Sequence, residues 1–313
     1  MTHCHNHVLI TGASGFVGRA LVARVATPGA IVSAIGRSAG RLESLFGGNP
    51  RVSCFAYGTD NAGGADLADV VRTAVETGPA DARVTLVHLA GAAHDPALPD
   101  GLRGAAIDAI TDGLVPALTG LPGARVVNVS SIAARSDQCR PGSRLEAYGQ
   151  AKARSEILLA KSACSLGGGC VSLRPPAIWG SEAPGSFATL RKIVDTRLPL
   201  PIDGIRVKRA YLHIDRLTEV LGALAAHDWP AGYAATFEVA DPGAYTLKEI
   251  FAAVAAKEGR PLRSFPAPVP ILKAFLRMAN KMELMDQIFR PLVVSSTPLE
   301  NFLTGLNRKH VDP

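Results

Sequence analysis

The first apolar run of the chain, Val8-Leu9-Ile10, breaks into a glycine-spaced turn, Thr11-Gly12-Ala13-Ser14-Gly15-Phe16-Val17-Gly18, after which the pattern changes period. Apolar residues at Phe16, Val17, Ala20, Leu21 and Val25 mark a helix that begins where the turn ends. No other segment restricts the fold as strongly. Gly12 suits a tight turn, Gly15 a backbone approached by a pyrophosphate, and Gly18 a helix packed close on its strand. The helix start offers N–H groups and partial positive charge to a diphosphate. The spacing predicts a dinucleotide site at the edge of a parallel sheet; a βα turn with no ligand is the competing reading.

The rhythm continues downstream. Strands are expected at His7–Ile10, Ile31–Ile35, Val52–Phe55, Val84–Leu89, Arg125–Val129 and Cys170–Leu173. Helical patterns fall near Phe16–Val25, Ala65–Glu76, Leu102–Leu118 and Glu146–Ser165. Right-handed crossovers wind such a series into an α/β doubly wound parallel sheet, with its ligand crevice at the carboxyl ends of the strands. After Arg174-Pro175-Pro176 prolines become dense and the rhythm loosens. The expected division is therefore a Rossmann domain over 1–176 and a smaller substrate-binding region over 177–313, interleaved with the last strands. Asp215 is expected to cap a helix from Arg216 to Ala226, and His213 to be structural. Apolar residues at helical spacing across Pro270–Phe289 read as packing in this smaller region or at an oligomer contact. Lys273, Arg277 and Lys281 among them leave a membrane-surface helix as the alternative.

Composition narrows the classes. Hydrophobic residues make up 47% of 313, enough for a substantial core, and no apolar run reaches the roughly 18 residues of a membrane span. No secretory pattern opens the chain, so a cytoplasmic protein without a membrane partner is expected. Five scattered cysteines without CxxC spacing read as reduced thiols. His3-Cys4-His5-Asn6-His7 runs into the first strand, where side chains alternate faces, and is not expected to hold a metal. A net charge of +6 without a Lys/Arg run, and with only 5% aromatics, favours small anions over nucleic acid.

Tyr148 and Lys152 lie four residues apart on one helical pattern, hence on one face. A nearby cation lowers a phenol from its reference pKa of about 10 toward the range useful for proton transfer. Upstream, Val126-Val127-Asn128-Val129 ends in Ser130-Ser131, placing hydroxyls at a strand's carboxyl end, where they can bind a substrate oxygen or satisfy backbone groups.

With these segments the chain resembles the extended short-chain dehydrogenase/reductase superfamily, in particular its NAD(P)-dependent epimerase/dehydratase group acting on nucleotide sugars. Thr11–Gly18, Val87-His88-Leu89-Ala90-Gly91, Val129-Ser130-Ser131-Ile132 and Tyr148-x-x-x-Lys152 carry the likeness. So do Leu173-Arg174-Pro175-Pro176 and Arg209-Ala210-Tyr211-Leu212-His213. The resemblance implies Tyr148 as acid/base, Lys152 as its partner on the nicotinamide ribose, and Ser131 as the third catalytic group, with Ser130 the fallback. Gly12, Ser14, Gly15, Phe16, Val17 and Gly18 would bind the cofactor phosphates. Leu89 and Ala90 would line it, and Pro175 would sit near the carboxamide. Asp60 is the residue carried forward for the adenine edge, with Asp66 the second candidate. Arg209 would clamp a substrate diphosphate, and Phe187, in Gly185-Ser186-Phe187, would meet substrate. A homodimer through the helices around Leu102–Leu118 and Glu146–Ser165 is implied as well.

The second strand ends in Gly36-Arg37-Ser38 rather than an acid, which favours NADP(H) over NAD(H), since Arg37 can meet a 2′-phosphate and Ser38 can add a hydrogen bond. Departures from the family pattern are a short interval from Ser131 to Tyr148 and no Asn in Ala106–Thr111. Ile132-Ala133-Ala134-Arg135 offers no acid, so dehydration is disfavoured. The expected activity is reduction of a UDP-4-keto-sugar. The alternatives are a 4-epimerase with retained NAD and, in another class, a non-catalytic dinucleotide sensor or assembly factor.

Overall fold

Alternation of strand and helix governs the first half of the molecule, which we describe from a computed structural model covering residues 6–58, 65–91 and 99–309. The elements run β1 (Asn6–Thr11), α1 (Phe16–Val25), β2 (Ala30–Gly36), α2 (Ala39–Phe46), β3 (Val52–Ala56) and α3 (Leu67–Glu76). They continue with β4 (Arg83–His88), α4 (Arg103–Leu118), β5 (Arg125–Val129), a 3-10 turn at Ile132–Ala134, α5 (Arg144–Ser165) and β6 (Gly169–Arg174). Next come β7 (Ile178–Trp179), α6 (Ser186–Asp195), β8 (Lys208–Arg209), β9 (Leu212–His213), α7 (Ile214–Ala226) and β10 (Ala234–Glu238). The chain closes with β11 (Tyr245–Thr246), α8 (Leu247–Lys257), α9 (Val269–Met278), α10 (Met282–Phe289) and α11 (Thr297–Lys309).

Seven strands form one sheet in the order β10-β6-β5-β4-β1-β2-β3, every pairing parallel. This is a doubly wound, Rossmann-type sheet. Its central strands are almost wholly buried because helices cover both faces, and the polar residues they carry are paired in the interior, His7 with Ser33, Thr11 with His88 and Asn128 with Ser172. Leu9, Leu86, Val126, Leu114, Leu118 and Leu159 are fully or almost fully buried in its core. The strand order reverses beside β1, so the turns after β1 and β4 leave the sheet next to each other. Thr11 pairs in register with His88 at that point.

The chain divides into two compact units. The first holds the sheet and comprises the chain through Pro175, Ile214–Val239 and the segment from Ser296. The second comprises Pro176–His213 and Ala240–Ser295, with two small sheets, β11-β8 and β7-β9. Within it, His213 stacks edge-on against Trp179, and its backbone N–H donates to Asp241.

Several expectations change. β10 escapes the sequence reading because it is an edge strand, only partly buried and with weak apolar alternation. α2, absent from the sequence reading, is only eight residues long, with Leu42 and Phe46 buried one turn apart, too short a run to register as a helical pattern. Asp215 is not a cap: α7 begins one residue earlier, and the Asp215 carbonyl accepts from the Thr218 hydroxyl inside the first turn. The Pro270–Phe289 stretch is two helices, divided where Asn280 adopts φ 51°.

Candidate active site

The glycine turn meets the demands its spacing predicts. Gly12 sits at φ 73°, and a Cβ there would lie 2.8 Å from the backbone nitrogen of Ala90. Any side chain would therefore collide with the end of β4. A Cβ on Gly18 would overlap the carbonyl oxygen of Gly12, so α1 can lie on the turn only with glycine at that position. Gly15 occupies the N-cap of α1 and supplies no side-chain cap. Its neighbours Ser14, Phe16 and Val17 are half-buried. This cradle, which any Cβ would fill, fits a diphosphate at the helix start.

Beside it, the ends of β1 and β4 are locked together. Thr11 Oγ1 lies 2.8 Å from His88 Nδ1, and the Leu89 N–H donates to the Thr11 carbonyl at 3.1 Å. Ala90 is buried and Leu89 half-buried. His88 is fully enclosed. Burial first, and the Lys152 cation second, depress its pKa to about 3, so it is neutral.

Tyr148, Lys152 and Glu156 follow one another at single-turn intervals along α5, on one face. Ser143 caps the helix and accepts from the Glu146 N–H. Gly149 lets α5 approach the Ile132–Ala134 turn: a Cβ there would lie 2.7 Å from the Ala133 carbonyl carbon. That approach brings Tyr148 near enough to Ser131 for the serine side chain to act on the phenol. Ser131 also accepts from the Ala133 N–H at 3.2 Å, which fixes its orientation. Burial raises the Tyr148 pKa, while the Ser131 side chain and the Arg103 guanidinium pull it back. This differs from the expectation that Lys152 lowers it. The reason lies in where Lys152 is engaged: buried, it donates from Nζ to the Val129 carbonyl at 3.0 Å. Its own pKa falls to about 8 through desolvation, opposed by Glu156.

Ser130, the fallback for the third group, is buried and engaged elsewhere. Its hydroxyl points into the core and donates to Glu156, which also receives Arg174 through Nε at 2.8 Å and Nη2 at 2.5 Å. A buried carboxylate requires such partners, because an unpaired charge is costly to hold away from water. The sequence reading missed Glu156, although its position one turn beyond Lys152 was a visible signal. His88 and Arg103 were likewise not assigned roles.

The remaining candidates disperse. Arg37 is exposed at the end of β2, close enough for its charge to act on Tyr57. Ser38 caps α2, accepting from the Arg41 N–H. Pro175 is buried, its carbonyl accepting from the Ile132 N–H at 2.9 Å. Asp66 caps α3, accepting from the Asp69 N–H at 2.7 Å, so its carboxylate already serves the helix; Asp60 lies outside the described residues. In the second unit, Phe187 is only 4% exposed and packs on Tyr211, which leaves little of its ring for a ligand. Arg209 is half-buried, and its Nη1 donates to the Arg290 carbonyl. Among the described residues no His/Cys/Asp/Glu group is arranged to hold a metal, and no helix is long and apolar enough to cross a membrane. The described cysteines form no disulfide.

A seven-stranded Rossmann sheet with a glycine cradle and a Tyr–Lys helix is the scaffold of an NAD-binding protein. Residues 8–234 match the sequence profile of the NAD dependent epimerase/dehydratase family, and the chain belongs to that family. A curated relative, UDP-glucose 4-epimerase of Vibrio cholerae, is 26% identical over 148 residues, or 47% of this chain. The chain spans less than half of that relative, 44% of its length. Among solved structures, Bordetella bronchiseptica WbmG in complex with NAD and UDP superposes with TM-score 0.64 at 18% identity, covering 94% of this chain and 86% of that one. Bacillus cereus UDP-glucuronic acid 4-epimerase in complex with NAD gives 0.62 at 18% identity, over 83% and 87%. Thermotoga maritima UDP-glucose 4-epimerase with UDP-glucose gives 0.64 at 15%, over 94% and 91%. At these identities the structures attest the shared fold.

Proposed function

We propose that the chain is a nucleotide-sugar oxidoreductase that reduces a UDP-4-keto-sugar at C4, with Tyr148 as proton donor. One observation carries this reading: α5 packs against the Ile132–Ala134 turn that follows Ser131 and brings Tyr148 and Lys152, one turn apart, to the end of β5. Burial pushes the Tyr148 phenol up from its ordinary value, which favours the protonated form a reductase needs at the start of its cycle. Ser131 holds the substrate oxygen beside that phenol and stabilises charge as it develops. Lys152 supplies positive charge and donors to a ribose. Gly12–Gly18, Leu89, Ala90 and Pro175 would hold the cofactor, with Arg37 in place of an acid favouring NADP(H) over NAD(H). The nicotinamide cofactor, when bound, supplies the hydride. Arg209, anchored through Nη1, remains the candidate for the substrate diphosphate.

The likeness to several 4-epimerases supports a second reading, a 4-epimerase with retained NAD. The two separate on stoichiometry. Mixing the protein with NADPH and UDP-linked 4-keto-sugars should consume one cofactor per sugar, read as absorbance loss, and Tyr148→Phe should slow this by about 100-fold or more. Sugar interconversion without net cofactor oxidation would replace the reductase by the epimerase. Binding without turnover on any sugar would leave a dinucleotide sensor.

We further propose a homodimer through α4 and α5, on the apolar side chains α5 leaves outside, Ile157 and Leu158, together with Leu102 ahead of α4. A cytoplasmic location accords with reduced cysteines.

A further inference from the structure

We infer that α9 is a docking surface for an anionic lipid bilayer. Ile271, Ala274, Phe275 and Met278 recur at the i, i+3, i+4, i+7 spacing of a single helical stripe. On an ordinary surface helix that stripe faces the core. Here it faces outward: Ile271 and Phe275 are each 65% exposed and Met278 85%, and α9 has no buried residue. Of the two uses expected for this segment, packing in its own unit or an oligomer contact, the first is not what this stripe does. Pro266, Pro268 and Pro270 stiffen the approach to the helix, and Phe265 is exposed ahead of it.

Charge identifies the occupant. From Gly259 through Met282 the sequence contains no Asp or Glu, while Arg260, Arg263, Lys273, Arg277 and Lys281 fall within it. Arg260 pairs with Asp195, and Lys273 lies over the Phe289 ring. Arg277 and Lys281 are exposed beside the stripe. An apolar stripe bordered by cations, without acids, is the pattern that seats a helix in the plane of an anionic headgroup layer. A second copy of the chain is a poorer fit, because facing copies would oppose like charges. The stripe is also small: a ten-residue helix is about 15 Å long and about 10 Å across, far short of the roughly 800 Å² per partner of a stable protein interface. The contact proposed is peripheral, unlike a membrane span, and revises the sequence-based expectation of no membrane partner.

The test is flotation of the full chain with vesicles of phosphatidylcholine alone and of phosphatidylcholine with phosphatidylglycerol. The protein should rise with the anionic vesicles and stay behind with the neutral ones. Arg277→Gln with Lys281→Gln should weaken binding by about fivefold per cation removed. Phe275→Glu with Met278→Glu should abolish it at an unchanged melting temperature; if that pair lowers the melting temperature, the charge variant decides. Failure to float, or equal binding to neutral vesicles, overturns the proposal. So does a dimer that dissociates on Phe275→Glu with Met278→Glu in sedimentation equilibrium, which would assign the stripe to a second copy. Flotation requires no turnover, so either result leaves the catalytic reading where it stands.

Discussion

Lys152 carries a stability cost at the candidate site. Its ammonium is buried, and a pKa held near 8 instead of 10.5 corresponds to roughly 3 kcal/mol of penalty on the charged form. The hydrogen bond to the Val129 carbonyl returns part of it. Lys152→Met should therefore abolish turnover yet raise unfolding stability at pH 7 by about 1–2 kcal/mol, measurable by urea titration. The pH dependence has a definite sign. Below pH 8 both folded and unfolded chains carry the proton and the penalty is complete. Between about 8 and 10.5 the folded chain releases its proton first, so wild type gains on the variant as pH rises. An unchanged difference across that window would contradict the burial argument. Tyr148 and Lys152 were legible from their spacing alone. The choice of Ser131 over Ser130 was not, because adjacent serines look alike until one is seen donating to the buried Glu156.

Among the elements, α5 is decisive, and its placement depends on a residue without a side chain. Gly149 allows the helix to touch the Ile132–Ala134 turn, and that contact sets the distance between Tyr148 and Ser131. Gly149→Ala should push the helix outward, at a cost of about 1–3 kcal/mol for overpacking. Because a displacement near 1 Å is worth about 100-fold in rate, turnover should fall by that order while cofactor affinity, measured by fluorescence titration, changes less. A fully active Gly149→Ala protein would show that the contact is not what positions the phenol. The glycines of the first turn announce themselves by spacing. Gly149 does not, since its requirement comes from a turn that is separate along the chain and adjacent only in the fold.

For the whole molecule, the exposed apolar residues of α5 predict self-association. Ile157 is 67% exposed on a long helix whose other faces are committed to the sheet and to α4. Ile157→Glu should weaken the dimer by roughly 30-fold or more, read by sedimentation equilibrium, with the monomer still folded. An unaltered association constant would place the interface elsewhere. The sequence by itself determined the α/β winding, the cofactor cradle and the Tyr–Lys pair, because each is written in local periodicity or in spacings within one turn. Tertiary structure alone decided that Ser130 is spent on Glu156, that Lys152 acts on His88 and Val129 before Tyr148, and that the stripe of α9 faces outward. Those outcomes turn on burial and on partners remote along the chain, and a linear pattern carries no record of either.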